Sequence, residues 1–324
     1  MAEGAVALYK RELEKIRREI SKVVIGQNEV INALLRAIIS NGHVLVEGVP
    51  GIAKTLLIKT LAKISGCEYS RIQFTVDLLP TDILGLTAYD PTKGFYVIKG
   101  PIFANLIIAD EINRATPKTQ SALLEAMQEK QVTIGNETFT LEEPFFVMAN
   151  NNPIESAGVY PLPEAQTDRF LFKIMMEYPK KDEEIMMLKN NVTLKKFEDF
   201  DLRKVSSPQS IIEIQKFVHR IYLSREIEEY IVDIVGATRN SDKYGIKMGK
   251  YIEYGASPRA SIGLFIASKA DALLNGSSFV TPQNVKNVVH DVLRHRIILN
   301  YEGQAEGVKT DQIITEIISK VPVP

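Results

Sequence analysis

Between Gly48 and Thr55 the chain reads GVPGIAKT, a glycine turn closed by a lysine and a hydroxyl residue. This is the outline of a phosphate-binding loop, G-x-x-x-x-G-K-[ST], with Ala53 where the pattern carries its second glycine. In such a loop several backbone N–H groups converge on one anion, reinforced by the positive end of the following helix. The expected contact set runs through Gly48, Val49, Pro50, Gly51, Ile52, Ala53, Lys54, Thr55 and Leu56. Lys54 reaches the terminal phosphates and the Thr55 hydroxyl ligates Mg²⁺. Alanine costs roughly 1–2 kcal/mol only where φ must be positive. Ala53 stands next to the helix start, where a right-handed conformation suffices, so the loop reads as a working variant. A turn that merely joins strand to helix does not explain the lysine and hydroxyl that follow.

A nucleotide hydrolase also needs a carboxylate for Mg²⁺ and a group to orient the attacking water, both at the carboxyl end of a neighbouring strand. NLIIADE supplies them. Asp110 is expected to hold Mg²⁺ through water, and Glu111 to polarise the water that attacks the γ-phosphate. FFVMANNNP stops at Asn150, Asn151 and Asn152, whose amides could touch the γ-phosphate or the water, or simply begin a turn before proline. Arg169, in PLPEAQTDRF, either pairs locally with Glu164 or Asp168 or reaches a phosphate on a neighbouring subunit. Arg259, in GASPRASIGL, occupies the first turn of a helix, where a cation opposes the dipole and so points to another role. His290 and His295 do not stack as i, i+4 ligands, and no metal site beyond Mg²⁺ is expected.

These residues need a frame. HVLVEG, EYSRIQF, NLIIAD, FFVMAN and FLFKIMM have strand length and polar or turn boundaries. With the intervening helical patterns they predict an α/β fold around a five-stranded, mainly parallel, doubly wound sheet. LYKRELEKIRREISKVV and EVINALLRAIIS predict helices within residues 8–40. LTAYDPTKGFYVI and QVTIGNETFTL read as inserted hairpins. The character changes after Tyr178, so residues 1–180 are expected to form the α/β unit, 181–205 a linker, and 206–324 an all-helical second unit of four helical patterns. Each unit is expected to bury its own core, with a moving joint near residues 178–205.

The chain has 39 Lys+Arg against 40 Asp+Glu over 324 residues. No global field favours a polyanion, and the two hairpins carry Lys93 as their cation, so nucleic acid is not the expected partner. Cys67 is the single cysteine. With no apolar leader and no run of 18 apolar residues, the expectation is a cytoplasmic protein without a membrane span.

The stretches VVIGQ, GVPGIAKT, FTVDLLPTDILG, IADEINRATPKTQSALLEAMQE, NPIESAGVYPLPEAQTDRFLF and GASPRAS resemble the MoxR-type ATPases of the AAA+ superfamily's helix-2-insert branch. The resemblance covers about Val23 to Ala260, and the later helices fit that family's lid. It implies ATP and Mg²⁺ as ligands, the two hairpins as the helix-2 and pre-sensor-1 inserts, Ile25 and Gly26 as adenine contacts, and Asn152 as sensor 1. It also implies Arg169 as the arginine finger for the next subunit and Arg259 as sensor 2, in cis or in trans. ANNNP departs from the family's A-T-Q-N-P, which makes Asn150 and Asn151 further candidates for sensor 1. A finger acting in trans implies a head-to-tail ring, a homo-oligomer expected to be a hexamer. Chaperone-like remodelling and a partner with a von Willebrand factor A domain are further implications of the family. The rival classes are a helicase-like motor and a slow nucleotide-gated switch.

Overall fold

In the computed structural model, residues 2–48, 54–92, 94–151, 159–189 and 196–324 are described. The α/β unit opens with α1 (Ala2–Ser21) and α2 (Asn28–Ile39), then β1 (Val44–Gly48), α3 (Lys54–Ser65) and β2 (Tyr69–Gln73). Next come α4 (Pro80–Leu84), the hairpin β3 (Gly85–Asp90) and β4 (Gly94–Lys99), and β5 (Leu106–Asp110). The chain continues through α5 (Pro117–Glu129), the hairpin β6 (Gln131–Ile134) and β7 (Glu137–Thr140), and β8 (Phe146–Asn151). It closes with α6 (Glu164–Thr167), β9 (Phe172–Met176) and α7 (Lys181–Lys189), which falls where a linker is expected.

The five core strands lie in the order β2-β5-β8-β1-β9 and every pairing is parallel. All five therefore end on one edge, with Gln73 opposite Asp110, Val46 opposite Asn150 and Gly48 opposite Met176. The side-chain period of two splits the strands between two cores. Val44, Val46, Ile108, Met148 and Ile174 enter one cluster, while Leu45, Ile107, Ala109, Val147 and Ala149 enter the other. The second cluster is closed by α4 and α5 through Ile83, Leu123 and Met127. The two expected hairpins are present as isolated antiparallel pairs.

The C-terminal unit contains α8 (Pro208–Val218), α9 (Arg225–Ala237), the short strand β10 (Ile252–Tyr254), α10 (Pro258–Asn275) and α11 (Pro282–Leu293). The strand β11 (Ile298–Leu299), α12 (Tyr301–Ala305) and α13 (Thr310–Lys320) complete it. Two details differ from the expected all-helical unit. β10 and β11 form an antiparallel pair, and the chain turns at 219–224, where Tyr222 bridges Phe279. A two-residue strand offers too few residues for its alternation to be read from sequence.

The expectation of separate cores is also corrected. The first cluster runs without interruption from Leu13, Ile16 and Ile20 of α1 through Leu34 of α2 to Ile214, Ile234, Leu264 and Val288 of the C-terminal helices. Arg36 of α2 meets Asp271 of α10 at 2.7 Å in a buried ion pair. Asn275, Asn284 and Asn287 all donate to the other Asp271 oxygen. A buried charge persists only when its lone pairs are filled in this way.

Candidate active site

At the carboxyl edge of the sheet, Lys54 opens α3 and its Nζ donates to the Gly48 carbonyl at 2.5 Å. Burial lowers its pKa, opposed by the charges of Asp110, Glu47 and Glu111. Lys54 thus lies within the field of both acids expected to serve the reaction. Asp110 ends β5, and Glu111 follows it in the left-handed region at φ 57°. That conformation costs a side-chain-bearing residue roughly 1–2 kcal/mol and persists only where neighbours impose it.

Asn150 of β8 is that neighbour. Its Oδ1 accepts the Glu111 backbone N–H at 2.7 Å, and its Nδ2 donates to Asp110 Oδ1. Asn150 is 4% exposed. It therefore braces both acids from the adjacent strand. Asn151 keeps a buried Oδ1 without a hydrogen-bond partner among the described residues. Val49, Pro50, Gly51, Ile52, Ala53 and Asn152 lie outside the described residues. Thr55 and Leu56 stand half-buried in the first turn of α3.

Ile25 and Gly26 lie between α1 and α2, with Gly26 at φ 77°. A Cβ there would meet the Glu183 side chain of α7 at 2.6 Å. Gln27 Nε2 donates to the Glu177 carbonyl at 3.2 Å. The segment expected to touch a base is thus walled by the chain that follows β9.

Arg169 and Arg259 occur together at the other edge. Arg169 precedes β9 and is exposed, with no ion pair among the described residues. The neighbouring Asp168 is taken by Arg296 at 2.7 Å and lies 3.8 Å from Arg259. Local pairing with Asp168 thus belongs to other arginines. Ser257, the N-cap of α10, donates to Asp168 at 3.1 Å and fixes the α10 start beside it. Both arginines line one cavity of about 350 Å³. From the Phe172 level to the Gly48 level the sheet extends about 13 Å, at about 3.3 Å per residue. Arg169 precedes the Phe172 end of that span, and Lys54 follows the Gly48 end.

Two functional candidates carry no motif. Arg71 of β2 donates to Asp110 Oδ2 through Nη2 at 2.5 Å and Nε at 3.0 Å. Gln73, two residues on and therefore on the same face, accepts from Arg71 at 2.7 Å and donates to Glu111 Oε2 at 2.9 Å. Arg114 also meets Glu111, at 3.0 Å. Only the shared face of Arg71 and Gln73 in EYSRIQF hints at this, and it does not name the strand they adjoin.

The Thr55 hydroxyl and the Asp110 carboxylate are hard oxygen donors of the type Mg²⁺ takes. The unpartnered Asn151 oxygen adds an acceptor at the same edge. The donor set therefore fits Mg²⁺. Among the described residues, no His, Cys, Asp or Glu group forms another metal cluster. No described helix is long and apolar enough to cross a membrane.

Comparison with known proteins shows the family. Residues 43–172 match the model for the ATPase family associated with various cellular activities (AAA), and residues 248–317 match the AAA lid domain. Chaperone MoxR1 of Mycobacterium tuberculosis is 42% identical over 100% of this chain and 85% of its own length. Protein MoxR of Methylorubrum extorquens is 30% identical over 96% of this chain and 94% of its own. A solved structure from Cytophaga hutchinsonii superposes with a TM-score of 0.93 at 47% identity, covering 100% of this chain and 98% of that one. With its parallel five-stranded core, helical lid and full-length relatives, the chain belongs to the MoxR family of AAA+ ATPases.

Proposed function

We propose that the protein hydrolyses ATP as a head-to-tail ring, a hexamer, and uses the cycle to remodel client proteins as a chaperone. The observation that carries this reading is the placement of Lys54, Asp110 and Glu111 at one edge of the sheet and of Arg169 and Arg259 at the opposite edge. Two arginines grouped away from the edge that carries Lys54 are explained if each subunit presents them to the next, a heterologous contact that closes into a ring.

In this reading the loop from Gly48 to Leu56 and the Lys54 ammonium hold the triphosphate, while Ile25 and Gly26 contact adenine. Thr55 and Asp110 would hold Mg²⁺, which supplies charge neutralisation at the phosphates. Glu111 takes the proton of the attacking water, and Asn152 orients that water. Arg169 of the preceding subunit, with Arg259 beside it, offsets charge developing on the transferring phosphoryl group. We keep 1–180 as the α/β core, 181–205 as the connection and 206–324 as the lid. The shared core and the Arg36–Asp271 pair favour lid and core moving as one body, so motion passes between subunits.

Leu86, Tyr89, Phe95, Tyr96 and Ile98 of the first hairpin are exposed, which suits contact with a client polypeptide rather than a phosphate backbone. Family membership supports a von Willebrand factor A domain partner. The single, buried Cys67 supports action in a reducing compartment, the cytoplasm. A second reading, a slow nucleotide-gated switch, is favoured by the partners already on both acids, Arg71 on Asp110 and Gln73 on Glu111. Steady-state ATP turnover of the parent and of Glu111→Gln, with sedimentation to count subunits, tests the proposal. We expect Glu111→Gln to bind nucleotide and lose hydrolysis. Parental turnover in that variant, or a strict monomer with full activity, overturns it.

A further inference from the structure

Arg71 lies on the edge strand of the sheet, and its guanidinium points along the carboxyl edge onto one oxygen of Asp110. The other oxygen is taken by Asn150. The Arg71 side chain is 50% exposed and that of Asp110 is 14% exposed, so the arginine is not needed to fill a core. No buried cluster includes it. What it contributes is one positive charge on the carboxylate that the proposed function assigns to Mg²⁺.

We propose that Arg71 is a positioning residue that competes with Mg²⁺ for Asp110 and thereby sets how much Mg²⁺ the site requires. This rests on the reading of Asp110 as the metal-side carboxylate. A guanidinium and a divalent cation within a few ångströms of one carboxylate repel each other, so the metal enters only as the Arg71 contact loosens. Arg71 also donates to the Gln73 oxygen, and Gln73 donates to Glu111. The same guanidinium therefore also steadies the amide that holds Glu111. The chain Asp110, Arg71, Gln73, Glu111 joins two acids with different duties through side chains of one strand.

The test measures binding of a fluorescent, non-hydrolysable ATP analogue to the full chain, first with Mg²⁺ chelated and then across a Mg²⁺ titration. Arg71→Ala is expected to reach half-saturation at about tenfold lower Mg²⁺ than the parent, the gain from removing one nearby like charge. Its affinity for the chelated analogue should be no weaker than the parent's. Arg71→Lys, which keeps the charge but loses the fork, should fall between the two. An Arg71→Ala half-saturation equal to or above the parent's, in a parent that does depend on Mg²⁺, overturns this inference alone. So does a loss of analogue affinity without Mg²⁺, which would assign Arg71 to the phosphates. A parent that binds the analogue equally with and without Mg²⁺ overturns the reading of Asp110 as well.

Discussion

The Asn150 side chain accepts the backbone N–H of Glu111 at 2.7 Å and donates to the carboxylate of Asp110, so one buried amide on β8 orients the acid that ends β5 and the acid that follows it. The strained backbone of Glu111 depends on that contact. Asn150→Ala should cost about 1–3 kcal/mol in stability, because a buried N–H and a carboxylate oxygen lose their partner. ATP turnover should fall at least about tenfold, since a small misplacement of the acting carboxylate is amplified in rate. Asn150→Asp should be worse, because it sets a second carboxylate against Asp110. Thermal unfolding and turnover measured together check both.

The opposed placement of Lys54 and Arg169 gives a mixing experiment. Lys54→Ala and Arg169→Ala should each be inactive alone. Mixed in equal amounts, about one site in four pairs an intact Lys54 with an intact Arg169 from the neighbouring subunit, and turnover should return to that fraction. No recovery in mixtures shown by sedimentation to have exchanged subunits would place the arginine in its own subunit's site.

Gly26 stands at φ 77°, and a Cβ there would meet Glu183. Gly26→Ala should cost roughly 1–2 kcal/mol from backbone strain. It should also weaken nucleotide binding severalfold by shifting the segment against α7. Adding Glu183→Ala should recover only part, because the strain in φ stays. Full recovery would assign the whole effect to the clash.

His43, just before β1, is buried with its pKa lowered to about 4, chiefly by desolvation. Its Nδ1 accepts the Val147 N–H at 3.0 Å, so Nε2 carries the proton toward the Met127 carbonyl at 3.1 Å. The unfolded imidazole binds a proton near 6.5, the folded one near 4. Between those values the unfolded chain holds more protons, so stability is full above about pH 6.5 and falls toward pH 4, by about 3 kcal/mol at most. Urea unfolding at pH 7 and pH 5, repeated for His43→Gln, checks this. The variant should be less stable at pH 7 and show a flatter dependence on pH.

Arg36→Ala should destabilise by about 3–5 kcal/mol, because it strands the fully buried Asp271 charge between α2 and α10. Replacing both, as Arg36→Met with Asp271→Asn, whose amide oxygen still accepts from the three asparagines, should recover much of the loss. Chemical denaturation of the three variants measures this. A near-neutral Arg36→Ala would show that the pair does not bind the lid to the core.

Much of this protein is legible from local pattern. GVPGIAKT and NLIIADE point to a phosphate loop and its acids because the candidate groups sit within a few residues of a strand end, and spacing along the chain is then spacing in space. The five core strands follow from short apolar runs with polar or turn boundaries, and both hairpins from alternation and turn residues, for the same reason. Arg71, Gln73 and Asn150 were not legible as a group, since their meaning lies in which strands adjoin β5. The order β2-β5-β8-β1-β9 brings together residues 39 and 40 positions apart, and no local period encodes it. The segregation of Arg169 and Arg259 from Lys54 is likewise a product of parallel strands ending on one edge. Short-range sterics and hydrophobic period write the elements and their reactive residues into the chain, whereas long-range packing of the sheet and the merged lid core chooses which of those residues face one another.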